Sequence, residues 1–198
     1  MEMSMMMTMT TFYYLIFSVA HNRFVRVPRP NLRGIPEANN SSDTARSAVY
    51  LDQRCSVKGL FTLQDAGSAR HSDDHRQVQI FGYNSQLPLV LKKEKSVSHF
   101  VHLPAANASE YLSTESRPGM SSTFVFQRQA NGRFRILDED EKLALVAVTP
   151  VLLRFVPVEQ LTTIQDLVSA EFRLFATEKM QLRMMRCNDR VRSNRLRR

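Results

Sequence analysis

Thr123-Phe124-Val125-Phe126-Gln127-Arg128-Gln129-Ala130-Asn131-Gly132-Arg133-Phe134-Arg135-Ile136-Leu137-Asp138 is the stretch on which the fold reading turns. It reads as an alternating strand over Thr123–Arg128, a turn at Asn131-Gly132 and a return strand over Arg133–Leu137. A related order runs through Val49-Tyr50-Leu51-Asp52-Gln53-Arg54-Cys55-Ser56-Val57-Lys58-Gly59-Leu60-Phe61-Thr62-Leu63-Gln64-Asp65. Each stretch has an alternating strand, a Gln-Arg pair, a glycine turn, a Phe two residues past the glycine and an acidic end. The first has one more residue between Gln-Arg and Gly. A repeated cassette constrains architecture more than any isolated motif, and here it predicts two copies of one hairpin unit packed together.

Outward from these stretches, Arg76 to Tyr83 alternates through Val78, Ile80 and Gly82 and predicts a further strand. Leu87 to Leu103 fits two periods. Leu91, Val97 and Phe100 lie loosely on a helical face, while Val97, His99 and Val101 keep a strand period. Ala105 to Leu112 contains helix formers behind Pro104, and Arg117-Pro118-Gly119 is a turn. Asp138 to Lys142 reads as an acidic, solvated turn. Leu143 to Phe155 is an apolar, β-branched run broken at Pro150. Pro157 then opens a predicted helix from Val158 to about Met185, with Leu161, Ile164, Leu167, Val168, Phe172 and Phe175 on its apolar face. The coarse pattern is strands then helix, twice.

At 198 residues and 43% apolar composition, the chain can bury one core without disulfides. Cys55 and Cys187 are too few for a disulfide framework. The net charge of +8 is unevenly placed. Residues 179–198 carry eight basic side chains and one acid, whereas residues 47–178 hold 14 basic and 15 acidic. The high pI therefore belongs mainly to the C-terminal tail. Phe12 to Ala20 is an apolar run too short to span a bilayer, and Arg23, Arg26, Arg29 and Arg33 follow it with Glu2 the only acid before Glu37. That composition has the pattern of a mitochondrial transit peptide, with nuclear import through the basic tail as the alternative. Residues 1–46 are accordingly read as a targeting segment and linker, and residues 179–198 as a basic tail.

The Phe124-Val125-Phe126-Gln127-Arg128-Gln129-Ala130-Asn131-Gly132-Arg133-Phe134-Arg135-Ile136 order, followed by the apolar strand at Leu143–Val148 and the predicted helix, resembles a repeat of the PUR, or purine-rich-element-binding, family. The related Whirly architecture is similar at this level. The resemblance implies an α+β domain over residues 47–178, with two ββββα-type repeats, one over about 47–116 and one over about 117–178, intertwined. It also implies binding of single-stranded nucleic acid on curved sheets, and homo- or hetero-oligomers. The first unit departs from the pattern, with Ser56-Val57 where a polar Asn is expected and no Arg after Gly59.

Single-strand binding needs cations along a backbone track and flat groups for stacking. The residues that fit are Gln53, Arg54, Lys58, Gln127, Arg128, Asn131, Arg133 and Arg135, with a basic arm of Arg183, Arg186, Arg190, Arg192, Arg195, Arg197 and Arg198. Phe61, Phe124, Phe126 and Phe134 are expected in the core, with Tyr50 and Tyr83 as exposed rings. His71, Asp73, Asp74 and His75 contain metal-ligand types but sit in a polar loop, so no metal or other cofactor is expected. No nucleophile-base grouping and no glycine-rich phosphate loop is evident, so no enzyme, small-molecule substrate or membrane partner is expected. The expected function is binding of single-stranded nucleic acid, RNA rather than DNA, in mitochondrial RNA processing. The alternative is a non-catalytic interaction subunit of a mitochondrial ribosome or RNA-processing complex.

Overall fold

A computed structural model describes residues 12–27, 48–55, 59–66, 74–83, 88–94, 97–102 and 120–177. In chain order the strands are β1 (Tyr13–Ser18), β2 (Arg23–Arg26), β3 (Tyr50–Asp52), β4 (Leu60–Asp65), β5 (His75–Gly82), β6 (Leu89–Glu94) and β7 (Val97–His102). They continue with β8 (Met120–Ser121), β9 (Thr123–Arg128), β10 (Phe134–Asp138), β11 (Leu143–Ala147), β12 (Leu153–Pro157) and β13 (Phe172–Thr177). A 3-10 turn, Val158–Gln160, and a six-residue helix α1 (Ile164–Ser169) lie between β12 and β13.

Six strands close on one another. β1 pairs with β4, β4 with β5, β5 with β9, β9 with β10, β10 with β13, and β13 returns to β1, all antiparallel. Between successive pairs of barrel strands the chain inserts a hairpin: β2–β3, β6–β7 and β11–β12. The short β8 adds to the edge of β6. The hairpins meet through backbone bonds, Val49 N–H to the Phe100 carbonyl at 2.8 Å and Leu51 N–H to the Val151 carbonyl at 3.1 Å. Three four-strand units around a six-stranded barrel, capped at one end by three hairpins, make a β-trefoil-like fold.

The barrel interior explains the sequence. Ile16, Phe61, Ile80, Phe124, Ile136 and Phe172, one from each barrel strand, all have 0% exposure and fill one layer. A small closed barrel needs large inward side chains at alternate positions of every strand. Above this layer Phe124 stacks on Phe155 at 5.8 Å, and Phe100 meets both rings edge-on. The cap thus packs on the barrel through aromatic pairs contributed by two hairpins and β9. Outward positions are apolar as well wherever a hairpin or loop folds over them. Leu15 and Leu60 form one satellite cluster, and Val125, Leu137 and Ala144 form another. Burial on both faces is why Phe124-Val125-Phe126 and Ile136-Leu137 read as continuous apolar runs.

Several expectations are overturned. The fold is nearly all β and the repeat is threefold, in place of an α+β domain of two intertwined PUR- or Whirly-like repeats. The two cassettes occupy different places in the repeat. Thr123–Asp138 is a true hairpin of β9 and β10, with Arg128 opposite Phe134. In Val49–Asp65, β3 pairs with β2 while β4 pairs with β1 and β5, so its two strands are not partners.

The predicted helix from Val158 is also corrected. A capping box between Thr163 and Asp166 starts α1, but the helix ends at Ser169. Phe172, Leu174 and Ala176 then alternate into the barrel, and β13 pairs with β1 from Tyr13↔Thr177 to Ser18↔Phe172. The spacing of Phe172 and Phe175 matched a helical period by coincidence. One points into the core and the other outward, where it is exposed. Phe12 to Ala20, the run that suggested a transit peptide, supplies β1, so the fold begins well before Ser47. The stretch around Leu87–Leu103 resolves as β6 and β7. Asp138 is buried rather than solvated: its Oδ1 accepts the N–H groups of Lys142 and Leu143, both at 2.8 Å, and Lys93 Nζ lies 3.6 Å from Oδ2. His71, Asp73, Ala105–Leu112 and Arg117-Pro118-Gly119 lie outside the described residues. Among those described, no helix is long and apolar enough to cross a membrane.

Candidate functional site

The hairpins close only one end of the barrel. The other end is formed by the start of β1, the end of β4, the start of β5, the end of β9, the start of β10 and the end of β13. One step below the sealed layer, each strand contributes its next inward residue: Tyr14, Leu63, Val78, Phe126, Phe134 and Leu174. Val78 and Phe126 are buried, while the other four are half-buried. Among the described residues nothing covers this second layer, which floors a cavity of ≈370 Å³. That volume lies within the range of about 300–1,000 Å³ typical of small-molecule sites.

The next inward step carries charge. Asp65 follows Leu63 on β4, Arg76 precedes Val78 on β5, and Arg128 follows Phe126 on β9, all at the rim. Strand alternation places each of these side chains on the same face as its apolar neighbour two residues away. Arg76 Nη2 lies 3.3 Å from Asp65 Oδ2, with both side chains largely exposed, so the pair is weak. The backbone N–H of Arg128 bonds the Asp74 carbonyl at 2.7 Å, and its guanidinium has no hydrogen bond or ion pair among the described residues. The Phe126 and Phe134 rings meet edge-on with centroids 6.3 Å apart. The mouth therefore offers an apolar, partly aromatic floor, one phenol, and two guanidiniums against one carboxylate.

The residues expected to bind nucleic acid are distributed differently. Arg128 is in the mouth. Its neighbours Gln127 and Arg135 face each other across β9 and β10 on the outside of the barrel. Gln127 Nε2 lies 3.3 Å from His75 Nε2, and Gln129 Nε2 donates to Gln127 Oε1 at 3.1 Å. Arg135 keeps a buried Nε with no partner. Asn131 and Arg133 are engaged by the buried Glu171. Asn131 Nδ2 donates to its Oε1 at 3.2 Å, and Arg133 Nη1 to its Oε2 at 2.5 Å. These bonds tie the β9–β10 turn to the start of β13. Gln53 and Arg54 follow β3 at the capped end, where Asp52 Oδ1 accepts the Arg54 N–H at 3.0 Å. Lys58 and Arg183–Arg198 lie outside the described residues.

Of the expected core aromatics, Phe61, Phe124 and Phe126 are buried, while Phe134 is a half-buried mouth residue. Tyr50 and Tyr83 are both half-buried, and Tyr83 packs on Tyr13 at 4.7 Å. His75 lies 3.5 Å from Glu141, and no group of three or more His, Cys, Asp or Glu that could hold a metal occurs among the described residues. Sequence reasoning named Arg128 but missed the rest of the mouth, which left one signal. In three strands the inward period runs from apolar to charged at the strand end: Leu63 to Asp65, Val78 to Arg76, and Phe126 to Arg128.

No protein family matches the chain, and no curated protein matches it. Solved structures do. A salivary protein from Culex quiquefasciatus, of the Cysteine and Tryptophan-Rich family, superimposes with a TM-score of 0.52 over 83% of this chain and 92% of that one, at 12% identity. The SDF2-like protein from Arabidopsis thaliana gives 0.52 over 85% and 95%, at 6% identity. At these identities the likeness reaches the fold alone. It agrees with the trefoil-like strand pairing and replaces the resemblance to PUR and Whirly domains.

Proposed function

We propose that the protein is a non-catalytic binding module that takes a small amphipathic ligand in the open mouth of its barrel. The observation that carries this reading is the second layer, which no described residue covers: Leu63, Val78, Phe126, Phe134 and Leu174 floor a ≈370 Å³ cavity whose rim is polar. A concave apolar site with a few convergent polar groups is the usual form of a ligand site. Burying apolar ligand surface there contributes about 25 cal/mol per Å² before the costs of association.

The test is a titration of isotope-labelled full-length protein with decanoate, 2-naphthoate and 2-naphthylmethanol, followed through the methyl resonances of Leu63, Val78 and Leu174. Saturable shifts of these methyls, with Leu89 and Leu145 in the cap unmoved, are the expected result. If none of the three probes perturbs the mouth methyls, the reading fails.

A second reading keeps single-stranded nucleic acid as the ligand. It is favoured by the Arg128 guanidinium, which has no acidic partner among the described residues and stands over an aromatic floor on which a base can stack. A single-stranded oligonucleotide in the same titration, at two salt concentrations, reads it: steeply salt-dependent shifts at the mouth support it, and none dismisses it.

A further inference from the structure

We infer that the barrel mouth selects a ring-bearing monoanion, with Arg128 as the residue that determines the charge preference. The inference rests on the mouth being a ligand site and adds the chemical class of the ligand.

Three observations carry it. The first is the charge count at the rim. Arg76 and Asp65 are paired with each other, which leaves Arg128 as the uncompensated charge among the mouth residues. Among the described mouth residues one negative charge on a ligand balances the site, and a second one meets Asp65 with no further unpaired cation of that set. The second observation is the floor. Phe126 and Phe134 present ring edges and faces at 63° to one another, and Tyr14 lines the same cavity. A flat ring meets such a surface in offset or edge-on geometry at little conformational cost. The third is height. Arg128 follows Phe126 by one strand repeat, about 6.6 Å along a strand tilted to the barrel axis and so about 5 Å further toward solvent. A ligand with its ring on the floor then places a carboxylate, attached directly or through one carbon, at the level of the guanidinium. Arg presents paired N–H donors that match a carboxylate, so charge and geometry favour the same group.

The measurement is calorimetric titration of the full-length protein with 2-naphthoate, the neutral 2-naphthylmethanol and the dianionic 2-naphthyl phosphate. The carboxylate is expected to bind roughly five- to tenfold more tightly than the alcohol, as fits one charge-assisted contact at a solvated rim. The phosphate is expected to gain nothing over the carboxylate. Arg128→Gln removes the preference, bringing the carboxylate and the alcohol to the same affinity, while Arg128→Lys restores part of it. Asp65→Asn releases Arg76 and raises affinity for the phosphate selectively. The inference is overturned if acid and alcohol bind equally, or if the preference for acid persists in Arg128→Gln; in either case the mouth remains a ligand site. If neither ring probe binds, the inference falls, and the ligand-site reading falls with it only if decanoate also leaves the mouth methyls unmoved. An oligonucleotide that displaces 2-naphthoate with far higher affinity overturns the monoanion and assigns the mouth to a polyanion.

Discussion

At the scale of single residues, the side chains that looked most like ligands serve the fold as well. Asn131 and Arg133 are joined to Glu171, which is 8% exposed, and together they fasten a turn to a barrel strand. Asp52 fastens β2 to β3 through Arg26. Burial pushes the Asp52 carboxyl up, but the Arg54 N–H and the Arg26 guanidinium outweigh it and hold the group below the usual carboxylate range. A carboxyl lowered in the folded chain stabilises it above the unfolded pKa. That contribution disappears as pH falls through the folded value. Thermal unfolding as a function of pH should therefore show Asp52→Asn less stable than the parent at pH 7. The gap should close as the pH is lowered below about 4. A gap that stays constant with pH would place the role of Asp52 in packing rather than charge.

At the scale of elements, β13 and α1 divide what sequence periodicity had joined. Ile164 heads α1 with 83% exposure, although helical spacing placed it on an apolar stripe, whereas Phe172 is sealed inside the barrel. Phe172→Ala should cost about 3–5 kcal/mol, as large-to-small changes in a packed core do. Ile164→Ser should stay within about 0.5 kcal/mol, as at other exposed positions. Denaturant unfolding of the two variants discriminates between them, and comparable losses would return both residues to one helix face. The helix signal was not spurious, because the Thr163 and Asp166 capping box is present. It marks a helix of six residues, after which a return to period-two alternation through Phe172, Leu174 and Ala176 was legible but outweighed by the i, i+3, i+4 match.

At the scale of the whole molecule, the barrel closes only when the first and last described strands meet, Tyr13 opposite Thr177. A chain beginning at Ser47 lacks β1 and β2, leaving β4 and β13 each with one open edge and the sealed layer without Ile16. Open barrel edges expose unpaired backbone groups. The truncated chain should lose its cooperative thermal transition and near-ultraviolet circular dichroism, and a sharp transition retained by residues 47–198 would show that β1 is dispensable. The mouth depends on the same closure, since it takes a residue from each of six strands.

The sequence by itself determined the local elements with strong alternation: β5, the β9–β10 hairpin with its turn at Asn131-Gly132, and the burial of Phe61, Phe124 and Phe126. In that turn only Gly132 takes a positive φ, 73°, which a residue without Cβ adopts freely. Tertiary structure alone decided that the repeat is threefold, that Tyr13–Ser18 is a barrel strand, and that Leu63, Asp65, Arg76 and Arg128 share one mouth. The physical reason is that alternation specifies which way a side chain faces relative to its own strand. Which strand lies alongside is settled by backbone pairing between distant segments, and those bonds form wherever ring closure buries the most apolar surface.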